Sequence, residues 1–156
     1  MAAVMEARDA VFAALAECYI TIDDERLNFM QAISLQATVT KTKVTVPILG
    51  KTGRGNKATG WKGTGSARFH YNSSRLRKLM LDYKDSGEDM YFDIQVTNED
   101  PTANVGRQTV ILKDVNLDNV LLTAFDADGD YLTEEISFTF EDFEIPEEFE
   151  DLDGML

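Results

Sequence analysis

Apolar and polar residues alternate with a period of two along most of the chain, and this alternation predicts β-strands. It is clearest over 90–97 and 135–141, where every second residue is apolar. Residues 108–113 and 115–125 predict two further strands, and 18–29 predict a β-hairpin with a polar turn. The pattern therefore favours a mainly β fold, either a barrel or a sandwich.

The alternation changes phase between residues 39 and 44. The apolar residues have odd numbers before this point and even numbers after it: Ile33, Leu35, Ala37 and Val39, then Val44, Val46 and Ile48. A change of phase in a strand moves the apolar side chains to the opposite face. We therefore expect either a β-bulge near 41–43 or a strand that leaves one core and joins another surface.

Two segments depart from the β pattern. In residues 73–84 the apolar residues recur at helical spacing, and Ser73 or Ser74 is suited to the N-cap, which predicts one short α-helix. Three residues of this helix are expected to pack on the β-structure, namely Leu76, Leu79 and Met80. The alanine-rich residues 3–17 are predicted to be helical from their propensity.

Length and cysteine content predict one domain without cross-links. The 156 residues suit a single domain over 1–156, with a possible arm at 1–17 and an acidic, mobile tail at 147–156. The one cysteine, Cys18, is expected to be a small packed residue in a reducing compartment. The sequence shows no signal peptide and no apolar run approaching the ~18 residues of a membrane span, so we expect synthesis in the cytosol.

Charge is distributed very unevenly along the chain. The formal net charge is −13, yet residues 41–78 contain ten Lys and Arg and no Asp or Glu. After Lys78 there are three Lys and Arg and 22 Asp and Glu. A basic segment on an acidic body suits a chain that binds copies of itself, whereas the net charge disfavours general affinity for nucleic acids or anionic membranes.

The basic segment includes a region rich in glycine and lysine, 49–65, which is predicted to be a long loop between strands. Five of its residues are candidate contacts with a partner: Lys51, Arg54, Lys57, Trp61 and Lys62. Because the loop has few apolar residues to bury, we expect it to be mobile in the isolated chain and to become ordered on assembly. Basic residues near aromatic ones also suit single-stranded nucleic acid, so a small nucleic-acid-binding β-domain is the alternative function.

No motif indicates catalysis, a metal site or a cofactor. A P-loop would need a glycine where Thr45 stands, five residues before Gly50. Residues 124–135 match a calcium-binding loop only in part, because Ala124 occupies the first ligand position, and a turn between strands is favoured. The one histidine, His70, has no accompanying nucleophile motif. We therefore expect a protein that is not an enzyme.

Three long stretches carry a family resemblance: GNKATGWKGTGSARFHY from Gly55, RLRKLMLDYKDSGEDMYFDIQVTNEDPTANVGRQTVILKDVNLD from Arg75, and EEISFTFEDFEIPEEF from Glu134. In this order and spacing they resemble the tail tube protein of contractile-tailed bacteriophages. The similarity is greatest to the type in defective prophages and phage-tail-like bacteriocins of Gram-positive bacteria. It covers residues 33–149.

The resemblance implies a β-barrel-like subunit with one helix that forms hexameric rings, which stack into a hollow tube inside a contractile sheath. The loop 49–65 would then reach an adjacent subunit or ring. The implied partners are further copies of the chain, the sheath protein, the baseplate or tube initiator and the tail terminator, with phage DNA passing through the lumen without specific binding. The implied location is a phage tail or bacteriocin particle, assembled in the host cytoplasm and released by lysis.

Overall fold

The computed structural model describes residues 4–154, and residues 1–3 and 155–156 of the expected arm and tail lie outside this range. The described strands are β1 Ala16–Ile22, β2 Glu25–Asn28, β3 Ala32–Val46, β4 Gly55–His70, β5 Phe92–Glu99, β6 Arg107–Leu117, β7 Thr133–Phe140 and β8 Asp142–Glu147, and the described α-helix is α1 Arg75–Ser86. The mainly β fold with one helix is therefore confirmed. The residues divide into two compact units, each built from segments that are separate in the sequence.

The first unit contains an antiparallel sheet in the order β2-β1-β5-β6-β8. The expected hairpin of 18–29 is present, and its turn residues Asp23 and Asp24 both have positive φ, at 50° and 64°. Two such residues match the right-handed twist of the flanking strands, and aspartate tolerates this conformation. The buried apolar residues of the unit are Ile20, Ile22, Phe29, Phe92, Ile94, Ala103, Leu112 and Val115.

The N-terminal segment is not the helix predicted from its alanine content. Of the described residues before β1, Ala7–Asp9 form a 3-10 turn and the others have no helical structure. Asp9 Oδ1 accepts hydrogen bonds from the backbone N and the Nδ2 of Asn104, at 3.2 and 2.9 Å, and Asp100 Oδ2 accepts one from Phe12 N at 3.0 Å. Tertiary hydrogen bonds to buried carboxylates thus replace helical ones and override propensity.

Strand β6 also differs from the prediction of two strands at 108–113 and 115–125. It runs as one strand through Asp114, whose φ is +54°, and ends at Leu117, and residues 118–132 have no regular structure. Its edge is paired with β8, where Arg107 and Lys113 form ion pairs with Glu147 and Glu144. The Arg107 hydrogen bond lowers the pKa of Glu147, so this small exposed contribution to stability is present near neutral pH and declines on acidification.

The second unit contains the sheet β6-β7-β4-β3, in which the end of β6 pairs with β7. The alternation predicted for 135–141 is present in β7, where Ile136, Phe138 and Phe140 are buried. Helix α1 ends at Gly87, whose φ of 76° allows its N–H to bond the Tyr83 carbonyl. Of the three expected packing residues, Leu76 is buried, whereas Leu79 and Met80 are half-buried.

Two glycines of β4 lie directly beneath the aromatic rings of β7. Gly63 is opposite Phe140 and Gly65 is opposite Phe138, and a Cβ added at either glycine would lie 2.4 Å from the ring. At Gly65 the added atom would also lie 2.8 Å from the backbone oxygen of Gln36. The absence of side chains at these two positions therefore allows the phenylalanines to lie against the backbone of β4.

Substitution of Gly65 with alanine is expected to destabilise the fold by about 1–3 kcal/mol, because the added methyl group overlaps Phe138 and the Gln36 backbone. Gly60→Ala is the matched control on the same strand, since a Cβ there meets no atom within 4 Å. Urea unfolding followed by circular dichroism should separate the two variants. Equal midpoints would contradict this account of the glycines.

Candidate functional site

The most prominent feature of the second unit is the long β3–β4 hairpin. β4 pairs with β7 from Gly63 onward, so the residues from Gly55 to Lys62 extend beyond this pairing by about 26 Å. We call residues 39–62, the part of the hairpin beyond β7, the arm. The prediction of a loop over 49–65 is wrong for 55–65, which belong to β4, because the cross-strand pairing of a hairpin overrides the glycine-rich composition.

The two strands of the arm keep one register over their whole length. An added Cβ at Gly65 approaches Gln36 O, Thr59 Oγ1 lies 3.3 Å from Thr42 O, and an added Cβ at Gly55 approaches Val46 O. From one pair to the next, β3 advances by the same number of residues as β4 goes back. Neither strand therefore gains an extra residue between the first pair and the last, and the β-bulge considered for 41–43 is not present in this described part of the hairpin.

An unbroken β3 places its apolar side chains on opposite faces in its two halves. Ile33 and Val39 lie on one face, and Val44 and Val46 lie on the other, because side chains alternate along a strand. All four are exposed, at 36–46% of their full accessible area. One strand with apolar residues exposed on both faces needs two different surfaces to cover it.

The arm is also strongly basic and carries no carboxylate. Its Lys and Arg side chains are all exposed, and none of them forms an ion pair within residues 4–154: Lys41, Lys43, Lys51, Arg54, Lys57 and Lys62. Their charges are therefore directed to solvent in the isolated chain. Trp61 is different, because its ring lies 6.4 Å from that of Phe140 at the base of the arm, and 44% of the residue is exposed.

A buried ion pair fixes the irregular residues 118–132, which we call the 118–132 segment. Arg77 Nη1 lies 3.1 and 3.0 Å from the two oxygens of Glu134, whose side chain is 1% exposed, and it also donates to Leu121 O at 3.2 Å. The guanidinium lies 4.4 Å from the centre of the Tyr71 ring, and the Tyr71 hydroxyl donates to Leu122 O. These charge-assisted hydrogen bonds hold the segment on the second unit without regular secondary structure.

The residues that the sequence analysis considered for calcium binding and for nucleophilic chemistry are a turn and a thiol of raised pKa. Residues 126–129 form a turn in which Gly129 N bonds Asp126 O, and residues 4–154 contain no group of three or more side chains suited to a metal ion. Burial raises the pKa of the Cys18 thiol to about 11, so it is a poor nucleophile at neutral pH. Among the described residues, no helix is long and apolar enough to cross a bilayer.

A protein-family model described as phage tail tube protein matches residues 3–147. This chain belongs to the phage tail tube protein family. The match covers both units, with the arm, helix α1 and the 118–132 segment inside it. The family is one of structural tail components, and the nucleic-acid-binding alternative gains no support from it.

Two proteins of Bacillus subtilis strain 168 are similar to this tail tube chain in sequence. The phage-like element PBSX protein XkdM is 41% identical over 118 residues, which cover 76% of this chain and 80% of that protein. The uncharacterized protein YqbM is 40% identical over 115 residues, covering 74% and 78% of the two chains. A solved structure of a B. subtilis protein is 35% identical and covers 87% of this chain and 99% of its own, with a TM-score of 0.54.

The fold is also similar to that of proteins in contractile injection systems. A chain of the anti-feeding prophage baseplate has a TM-score of 0.67 at 10% identity and covers 87% of this chain and 95% of its own. A chain in the PVC sheath/tube terminator structure has a TM-score of 0.63 at 11% identity, with coverages of 83% and 93%. At such low identity the similarity concerns the fold, and it agrees with the tail tube assignment.

Removal of the Arg77 charge is expected to destabilise the tail tube fold strongly. Arg77→Leu leaves the Glu134 carboxylate buried without its cation, and breaking a buried pair in this way costs about 3–5 kcal/mol. Lys78→Leu is the control, since Lys78 is the next helix residue and is exposed. Urea unfolding should show a large loss for the first variant and a change within about 0.5 kcal/mol for the second. Similar midpoints would mean that the ion pair contributes little.

Proposed function

We propose that this tail tube chain assembles into hexameric rings that stack into the hollow inner tube of a contractile phage tail or bacteriocin particle, and that it performs no catalysis. The observation that carries the proposal is the arm, an ordered hairpin whose length exceeds what its own unit can cover. The exposed apolar side chains of such a hairpin mark a surface that another molecule covers. A neighbouring copy of the chain supplies that surface.

The sheet edges support association between copies. In the described residues β3 lies at the end of its sheet with β4 as its neighbour, so its outer edge exposes unpaired backbone groups. An exposed edge of this length is a template for pairing with another strand, and closure into a ring removes such edges. Strand pairing between subunits would therefore turn an aggregation risk into a specific contact.

The charge of the chain supports the partners that we propose for the tube. At −13 its walls would repel DNA phosphates, so phage DNA could pass through the lumen without being held. The sheath protein would surround the tube, while a baseplate initiator and a tail terminator would bind its two ends. We propose assembly in the host cytoplasm and release by lysis in a phage tail or bacteriocin particle.

The contact residues proposed for the arm are Lys51, Arg54, Lys57, Trp61 and Lys62. In the structure the four cations are exposed, which suits long-range attraction to acidic groups of a neighbour. The strands of the arm, which carry Lys57, Trp61 and Lys62, are paired as a hairpin, whereas Lys51 and Arg54 lie in the connecting residues 47–54. A pre-ordered element loses less conformational entropy on binding than a flexible loop.

Charge reversal in the arm tests the proposal. Lys51→Glu/Lys57→Glu should leave the chain folded by circular dichroism but abolish the tubes that negative-stain microscopy and pelleting detect with the unaltered chain. The two reversed positions would repel acidic groups of a neighbour, and the arm would lose most of its positive charge. Lys78→Glu/Lys84→Glu on α1 makes the same change in net charge and should leave assembly intact. Tubes of normal length from the arm variant would exclude it as the assembly contact, and salt-sensitive binding of an oligonucleotide would favour the alternative function.

A further inference from the structure

The 118–132 segment exposes large apolar side chains and is anchored to the second unit near both of its ends. Phe125 is 91% exposed, Leu122 is 71% exposed and Tyr131 is 67% exposed. The segment is anchored near its two ends, where Asn119 Oδ1 accepts a hydrogen bond from Ser137 N at 2.8 Å and Leu132 O accepts one from Tyr71 N at 3.1 Å. Exposed aromatic residues on an anchored backbone are typical of a binding surface.

The same segment is acidic and contains no basic residue. Beside Phe125 lie Asp126, Asp128 and Asp130, all exposed, and the chain has no Lys or Arg after Lys113. No ion pair involves these three carboxylates within residues 4–154. The segment thus combines exposed apolar groups with unpaired negative charge, whereas the arm combines exposed apolar groups with unpaired positive charge.

Resting on the proposed function, we infer that the 118–132 segment of one copy is the surface that receives the arm of a second copy. Phe125 and Leu122 would cover apolar side chains of the arm such as Val44 and Val46, and the aspartates would meet its lysines. The arm is positively charged and the 118–132 segment is negatively charged, and both expose apolar side chains. The two surfaces are therefore complementary in charge and can bury each other's apolar groups.

The other acidic regions of the chain fit this role less well. Glu144 and Glu147 of β8 already pair with Lys113 and Arg107. The carboxylates after β8, from Glu148 to Asp153, are exposed but are not accompanied by an exposed large apolar side chain. Residues 81–91 also combine carboxylates with exposed apolar side chains, but they include a cation, Lys84, which pairs with Asp85. The absence of any cation and the nearly full exposure of Phe125 therefore select the 118–132 segment.

A mixing experiment tests this pairing directly. The arm variant Lys51→Glu/Lys57→Glu places two negative charges on the basic arm, and the segment variant Asp128→Lys/Asp130→Lys places two positive charges on the acidic segment. Each variant alone should form no tubes, because its reversed positions would face side chains of the same sign. In an equimolar mixture the reversed arm can face the reversed segment, so tubes in which the two variants alternate should form. Asp126 is left unchanged because its carboxylate accepts the Asp128 N–H at 3.1 Å and shapes the turn.

The controls separate this inference from the proposed function. Glu148→Lys/Asp151→Lys makes the same change in net charge as the segment variant and should assemble normally. If the arm variant fails but the segment variant forms tubes alone, or if the mixture forms none, the inference is overturned while the proposed role of the arm stands. If the arm variant itself forms normal tubes, the arm is not the assembly contact, and the proposed role of the arm is contradicted together with the inference.

Cross-linking provides a second measurement that needs no long tubes. Chains with Lys57→Cys and chains with Asp128→Cys, both with Cys18→Ala and one of them tagged, would be mixed at high concentration and treated with a short bismaleimide. Dimers that contain one tagged and one untagged chain should exceed those formed by either variant alone. Phe125→Ser should reduce their yield without changing the melting temperature, since this side chain is almost fully exposed. A mixture that gives no excess of mixed dimers would contradict the inference.

Discussion

The constant register between β3 and β4 is the constraint on which the second unit depends. Because neither strand gains a residue between the Gln36–Gly65 and Val46–Gly55 contacts, the change of apolar phase in β3 cannot be absorbed by a bulge. The apolar side chains must therefore appear on opposite faces of one strand. The subunit leaves both sets exposed, and association with other molecules is the way to bury them.

The base of the arm explains why this constraint can be maintained. Phe138 and Phe140 lie against Gly63 and Gly65, and the ring of Trp61 continues this aromatic row. The aromatic rings fill the space that the glycines leave, so β4 is packed up to the point where the arm begins. A hairpin that starts from a packed base is oriented before it binds, which reduces the entropy lost on association.

The sequence predicted the elements whose pattern is local and repeated. The alternation in β7 and the helical spacing around Leu76 were sufficient to predict a strand and a helix, because each pattern indicates an element with a single buried face. Three predictions failed for tertiary reasons. Asp9 and Asp100 bind the N-terminal segment in place of a helix, the buried Arg77–Glu134 pair holds 118–132 without a strand, and hairpin pairing extends β4 through the glycine-rich residues 55–65.

For the assembly surface, the sequence predicted charge but not geometry. A basic stretch and an acidic remainder are visible in composition, whereas the exposure of Phe125 depends on how its neighbours are held. The five candidate contacts all lie in the arm, four of them as exposed cations. The proposed acceptor could not be recognised from the sequence, because aspartates near an Asp-Gly turn are common on any surface. The lack of any cation in 118–132 and the nearly full exposure of Phe125 distinguish it.

Segregated charge also determines which symmetry the association can have. In a two-fold symmetric dimer a surface patch meets its own copy, so a basic arm would face a basic arm and repel it. A chain that carries its positive charge in the arm and its negative charge elsewhere favours contacts between two different patches. Such head-to-tail contacts either close into rings or continue as a filament, and the proposed tube of stacked rings requires both outcomes from one subunit. The uneven charge therefore favours the head-to-tail contacts that the proposed ring and its stack require.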